Sequence, residues 1–170
     1  MYQRILQFIA NVIRDDEHAW ERGANPWSVW TRIATWPLLM LALWSLRLAP
    51  VEALVSIVLL AGWLWLNSRI FPPPLTTKSW AARTIMGERA YVLRSLHPIP
   101  LYHGNALTLL GIGTWLGGLL MAAGLLAAEP ATFIVGCVTA ALCRFWFLDR
   151  LVWLFDDMAR EVPEYRAWLR

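Results

Sequence analysis

The chain has 170 residues, of which 58% are hydrophobic and 16% charged, and its mean hydropathy is +0.47. This balance excludes an ordinary soluble domain, in which about 25% of residues are charged. The formal charge of +3 comes without the basic run or module that marks a nucleic-acid-binding protein. The length leaves room for one helical membrane domain, because each span takes about 20 residues.

Tryptophan is the most distinctive residue type, with 12 copies in the chain. The indole ring prefers the headgroup zone of a bilayer, where one edge of the ring is hydrated and the rest is not. We therefore predict aromatic belts at the membrane boundaries of an all-α polytopic bundle, which forms a single domain over residues 1–170.

The first predicted element is an amphipathic helix at residues 2–22. It places Ile5, Ile9 and Ile13 at helical spacing, with polar side chains on another side. This segment is too polar to cross a bilayer, so we expect it to lie along the membrane surface.

Four apolar segments predict membrane spans, at residues 30–48, 51–67, 106–128 and 131–149. A short turn at Pro50 joins the first two, and Glu129 with Pro130 joins the last two. The sequence therefore predicts a bundle of four transmembrane helices, built from two helical hairpins.

A long connection, residues 68–105, separates the two hairpins. Three consecutive Pro at 72–74 exclude regular helix there. Ser79 is an N-cap for a predicted helix at 80–96, which carries too many charges to span and is expected at the membrane surface. The last span is predicted to continue into an amphipathic tail at 150–170.

The basic residues predict an orientation. Of the 15 Lys and Arg residues, only Arg47 lies at one of the two short turns between predicted spans. Cytoplasmic loops carry the excess of positive charge, so both termini and the long connection are predicted to face the cytoplasm. This arrangement fits a multi-pass protein of the cytoplasmic (inner) membrane.

Small residues recur at four-residue spacing on the last two predicted spans. They are Gly113 and Gly117 on one span, and Thr132, Gly136 and Ala140 on the other. Side chains of this size let two helix backbones approach closely in lipid, so these positions are the predicted packing face.

Four strings carry a family resemblance: NPWSVWTR at 25–32, RIFPPP at 69–74, GER at 87–89 and WFLDRLVW at 146–153. From about residue 18 to residue 168, the chain resembles a small prokaryotic family of integral membrane proteins whose function is unknown. The resemblance implies membrane location and a shared architecture, and it supplies no functional residues.

Two acids near the predicted cytoplasmic boundary, Glu88 and Asp149, lack a basic neighbour at helical spacing on their own helix. They are predicted to join basic residues of other segments in a structural network between helices, made of Arg32, Glu88, Arg144, Asp149 and Arg150. Arg144 continues the small-residue face of its span, so it should face the bundle and need an acidic or carbonyl partner. The alternative to structural stabilisation is a functional pocket, because ionisable groups inside a membrane commonly serve a function.

Acids and imidazoles gather at the same boundary and supply the candidate catalytic residues, which are His18, Glu21, Glu88, His97, His103 and Asp149. Asp15, His18 and Glu21 share one helix face at a spacing that a metal could use, but a solvated helix face explains them better. His97 and His103 could ligate a haem-type ring, but interfacial hydrogen bonding explains them better. No nucleotide, thiol or hydrolase motif is present, so we predict no metal and expect no cofactor.

The preferred interpretation is an accessory integral membrane protein, with the lipid bilayer and other membrane subunits as partners and without nucleic acid. The alternative is a membrane-embedded enzyme, with or without a metal, that acts on a lipid-like substrate at the cytoplasmic leaflet and uses Arg32, Arg144 and Arg150 as anion binders. A transporter or channel is disfavoured, since the spans hold no ionisable residue near mid-membrane. The enzyme predicts that acids and His converge on one cavity, whereas the accessory role predicts acid–Arg pairs and dispersed His.

Overall fold

The computed structural model of the protein describes residues 20–170, and every regular element in that range is helical. The helices are α1 (Pro26–Ser45), α2 (Pro50–Ile70), α3 (Trp80–Val92), α4 (Leu101–Ala127), α5 (Pro130–Glu161) and α6 (Pro163–Arg166). Residues 20–23 form one further helical turn, and Leu93–Ser95 form a 3₁₀ turn. The predicted all-α class is confirmed.

Two hairpins, α1–α2 and α4–α5, form the long-helix part of the fold. Proline occupies the first position of α1, α2 and α5, where its missing amide hydrogen costs no helical bond. At the second turn, Ala128 adopts a left-handed conformation with φ 62°, and the Glu129 carboxylate accepts a hydrogen bond of 2.8 Å from the Thr132 amide. That hydrogen bond holds the pKa of Glu129 below its ordinary value.

Within residues 20–170, three helices are long and apolar enough to cross a membrane: residues Pro50–Asn67 of α2, the whole of α4, and α5. Four spans were expected from the sequence, so the structure supports three of them by this criterion. The remaining predicted span, 30–48, lies mostly in α1. Arg32, Pro37 and several Trp reduce the apolar character of this helix, and Pro37 also removes one backbone hydrogen bond.

Several predicted boundaries differ from the structure. α4 begins at Leu101, immediately after Pro100, and not at residue 106. The predicted tail at 150–170 is not one helix, because α5 runs unbroken to Glu161 and the chain then turns ahead of Pro163. The predicted surface helix at 2–22 lies outside the described residues except for its last residues, 20–22.

The small residues of the second hairpin lie where α4 and α5 meet. A Cβ atom on Gly117 would lie 2.8 Å from Ala140 Cα, and one on Gly136 would lie 2.7 Å from Met121 Cα. A Cβ on Gly113 would meet the Cys143 sulfur at 2.6 Å, and Thr132 borders the similar contact at Gly124. The backbones of α4 and α5 are therefore in direct contact along this face.

The buried core lies between α3 and the second half of α5. Ala82 and Ala90 of α3 are fully buried, as are Leu151, Leu154 and Phe155 of α5. By contrast, the apolar side chains of the proposed spans are largely exposed; Leu109 and Leu142, for example, are 70% and 65% exposed. Such exposure in long apolar helices is expected where the solvent is lipid.

Candidate functional site

Four helices surround a cavity of about 160 Å³, here called the charged pocket. Three charged side chains line it: Arg32 from α1, Glu88 from α3 and Arg144 from α5. Thr84 of α3 also lines the cavity, and most of the remaining wall is apolar. The sequence analysis had placed these three residues in one predicted network between helices.

Arg32 is held in place by two backbone carbonyls that precede it in the sequence. Its Nε donates to the Ser28 carbonyl at 3.2 Å, and its Nη2 donates to the Gly23 carbonyl at 3.1 Å. Glu88 and Arg144 both act on Arg32 electrostatically, yet neither forms a hydrogen bond or close ion pair with any described residue. Arg144 instead places its guanidinium carbon 5.2 Å from the Phe147 ring centroid.

An apolar groove of about 770 Å³ runs between α1 and α5, next to the charged pocket. The two cavities share four wall residues: Ile33, Trp36, Ala141 and Phe145. The groove reaches Trp44, whose ring centroid lies 4.9 Å from that of Phe133. The two cavities are therefore adjacent, with the charged pocket at one end of the apolar groove.

Trp80 of α3 contacts both α1 and α5. Its indole stacks on Trp30 of α1 at 5.5 Å between centroids, and its Nε1 donates to Asp149 Oδ1 of α5 at 3.0 Å. Within residues 20–170, no Arg lies at ion-pair distance from Asp149. Arg150 is not within this distance either, and its guanidinium carbon lies 5.4 Å from the Trp153 ring centroid.

Replacing Trp80 with Phe should lower the stability of the detergent-solubilised protein by about 1–2 kcal/mol. The variant keeps an aromatic ring for Trp30 but leaves the half-buried Asp149 carboxylate without its indole donor. Thermal unfolding monitored by near-ultraviolet circular dichroism measures the effect. Trp115→Phe is the matched control, because the Trp115 side chain is 78% exposed. Equal stability of the two variants would contradict a role for the Trp80–Asp149 bond.

The candidate catalytic residues do not share one cavity in the described part of the chain. His97 lies 3.3 Å from Glu164, and the buried His103 lies 2.9 Å from Asp157. Glu21 accepts a hydrogen bond of 2.6 Å from Arg170. Asp15 and His18 lie outside the described residues, and residues 20–170 contain no cluster of His, Cys, Asp and Glu suited to a metal ion.

Sequence reasoning missed a buried polar cluster between α1 and α2. Ser28 donates to the Asn67 side-chain oxygen at 2.6 Å, and the Asn67 amide donates to the Thr31 hydroxyl at 2.7 Å. Ser28 and Asn67 are fully buried. An Asn at the inner end of a predicted span was the available signal, since such a residue needs hydrogen-bond partners in lipid.

A second missed contact ties the C-terminus to the loop before α3. The Thr77 amide donates to the Arg170 carbonyl at 3.2 Å, and the Arg170 amide donates to the Thr77 hydroxyl at 2.9 Å. Nearby, burial raises the pKa of Tyr165, whose ring lies 4.6 Å from that of Trp168. These contacts fix the chain end against the core.

A sequence model described as a family of unknown function matches residues 5–168. The resemblance to such a family is thereby confirmed over nearly the whole chain. No curated protein and no solved structure matches the chain.

Proposed function

The chain belongs to the DUF6653 family, whose function is unknown, so we propose a function from its own structure: an accessory, multi-pass protein of the cytoplasmic membrane in a prokaryote. In this proposal α1, α2, α4 and α5 all cross the bilayer. Both termini and the connection that contains α3 lie on the cytoplasmic side. Other membrane subunits are the expected partners.

The crossing of α1 is the step beyond the three apolar helices. α1 has 20 residues and reaches about 30 Å, the thickness of the hydrocarbon layer. Its one charged residue, Arg32, is bonded to backbone carbonyls and lies beside Glu88. If α1 crosses the bilayer, Asn25 and the turn at Leu48 lie on opposite sides of the membrane. If α1 does not cross, they lie on the same side.

The accessory role rests on one observation: the candidate acids and imidazoles within residues 20–170 are dispersed. His97 and His103 each lie beside a different carboxylate, and neither lines the charged pocket. α3 instead links the two hairpins through aromatic and hydrogen-bonded contacts at Trp80. This arrangement suits structural stabilisation better than proton transfer.

The enzyme for a lipid-like substrate remains the second candidate, favoured by the position of the charged pocket next to the apolar groove. Of the described residues on the pocket wall, Glu88 alone has a side chain of a type that enzymes use as a general base. Metal analysis and an ultraviolet–visible spectrum of the purified protein address this candidate. A stoichiometric metal or a chromophore band would favour the enzyme over the accessory role.

Cysteine labelling of intact cells tests the topology. Single cysteines are introduced as Trp27→Cys, Leu48→Cys and Leu75→Cys after Cys137 and Cys143 are replaced by Ala. All three chosen side chains are exposed in the structure. A membrane-impermeant maleimide should label position 48 in intact cells, and positions 27 and 75 only after permeabilisation.

Each pattern of labelling has a distinct meaning. Label at position 75 in intact cells would contradict the orientation. Positions 27 and 48 on the same side would show that α1 does not cross, which would leave three spans. Total labelling in denaturant controls for the reactivity and amount of each variant.

A further inference from the structure

We propose that the charged pocket and the apolar groove together bind one anionic phospholipid. The phosphate lies between Arg32 and Arg144, and one acyl chain lies along the groove between α1 and α5. The proposal rests on the proposed function only in placing these helices in a membrane.

The charges of the pocket match a single anion. Two guanidinium groups and one carboxylate leave the wall with one net positive charge, which a phosphodiester neutralises. A guanidinium has five N–H donors, and Arg32 uses two groups, Nε and Nη2, for backbone carbonyls. Arg144 donates no hydrogen bond to any described residue, so its planar donors are available to bind phosphate oxygens in pairs.

The groove matches an acyl chain in character and in length. Its volume of about 770 Å³ lies in the range of small-molecule sites, and its wall is almost wholly apolar. From Trp36 to Trp44 it follows α1 for roughly 12 Å. This length is comparable with the thickness of one leaflet of the hydrocarbon layer, about 15 Å, so a chain anchored at the charged end could extend along most of the groove.

The far part of the groove argues against a partner helix as the occupant. The Met40 and Cys137 sulfur atoms lie 3.4 Å apart, and the Trp44 and Phe133 rings are in contact. A helix with side chains is about 10 Å wide and would have to separate these contacts. A single acyl chain is narrow enough to lie beside them. A soluble phosphate would occupy the charged pocket alone and would leave the groove unused.

Native mass spectrometry of the protein in maltoside detergent tests the proposal, with phosphatidylglycerol as the probe. The wild-type protein should retain one molecule and should bind phosphatidylcholine about tenfold more weakly. Arg144→Gln removes a phosphate ligand, and Ala141→Phe fills the junction of the two cavities; each should weaken phosphatidylglycerol binding about tenfold. Arg69→Gln and Leu142→Phe are the matched controls, because both residues are exposed and lie outside both cavities.

Glu88→Gln separates a specific effect from poor folding. It raises the charge of the pocket by one unit, so it should tighten phosphatidylglycerol binding several-fold, a gain that misfolding does not produce. Unchanged binding in Arg144→Gln and Ala141→Phe would overturn the proposal. Displacement of the lipid by an equal concentration of sn-glycerol 3-phosphate would overturn the assignment of the groove to the acyl chain. Cysteine labelling is independent of these results, so a wrong topology and a wrong ligand are distinguishable.

Discussion

Gly87→Ala should destabilise the protein by about 3 kcal/mol, the upper part of the usual range for overpacking. A Cβ atom at this position of α3 would lie 2.6 Å from the carbonyl carbon of Leu151 on α5 and would collide with its oxygen. Neither atom belongs to a side chain that can rotate away. The added methyl would therefore push α3 from α5, and the gain in helix propensity from Ala, about 1 kcal/mol, would offset only part of the cost.

Thermal unfolding in detergent measures this effect, and a loss of this size corresponds to a fall of roughly 6–12 °C in Tm. Gly62→Ala is the control, because a Cβ there meets nothing within 4 Å. A further variant locates the clash: adding Leu151→Ala to Gly87→Ala should not restore stability, since the obstruction is backbone. Rescue by that second change would show that the Leu151 side chain, and not the close approach of the two backbones, limits the site.

Loss of the α3–α5 contact would also disturb the charged pocket. Glu88 follows Gly87 directly and reaches the pocket from α3, whereas Arg144 reaches it from α5. Displacement of α3 should therefore move the Glu88 carboxylate relative to Arg32 and Arg144. Gly87, which packs against α5, and Glu88, which lines the charged pocket, are therefore consecutive residues of α3.

The sequence was sufficient to predict features that depend on local spacing. Small residues four apart lie where α4 and α5 meet, and Glu88 and Arg144 line one cavity from different helices without a hydrogen bond or ion pair to a described residue. The N-terminus of α1 was also readable, because Asn25 caps the helix and Pro26 occupies its first position. Placing the span at residue 30 gave too much weight to hydropathy and too little to these signals.

Features that depend on three-dimensional arrangement were not predictable in the same way. The sequence analysis expected basic partners for Asp149, but the donor that binds its carboxylate is the neutral indole of Trp80. A neutral donor cannot be identified by matching opposite charges. The contact between Thr77 and Arg170 joins an irregular loop to the chain end, and no periodicity marks either segment. The apolar groove is lined by α1 and α5, which belong to different hairpins, so it depends on how the two hairpins pack against each other.

Gly117→Ala should destabilise the α4–α5 hairpin by about 3 kcal/mol as well, whereas Gly118→Ala should be neutral or stabilising by up to about 1 kcal/mol. The two positions are adjacent in the same helix and undergo the same chemical change. A Cβ on Gly117 would lie 2.8 Å from Ala140 Cα and 2.9 Å from its Cβ, while one on Gly118 meets nothing within 4 Å. The difference between the variants therefore isolates helix contact from helix propensity.

Unfolding by titration with sodium dodecyl sulfate, monitored by tryptophan fluorescence, gives the stabilities of both variants. In lipid or detergent, helix association depends on close van der Waals contact, because the surrounding chains are as apolar as the helices. A methyl group that separates α4 from α5 removes that contact along the whole face, including the approach of Gly136 to Met121. If Gly117→Ala and Gly118→Ala prove equally stable, α4 and α5 do not pack backbone to backbone at Gly117, and the hairpin must be stabilised elsewhere.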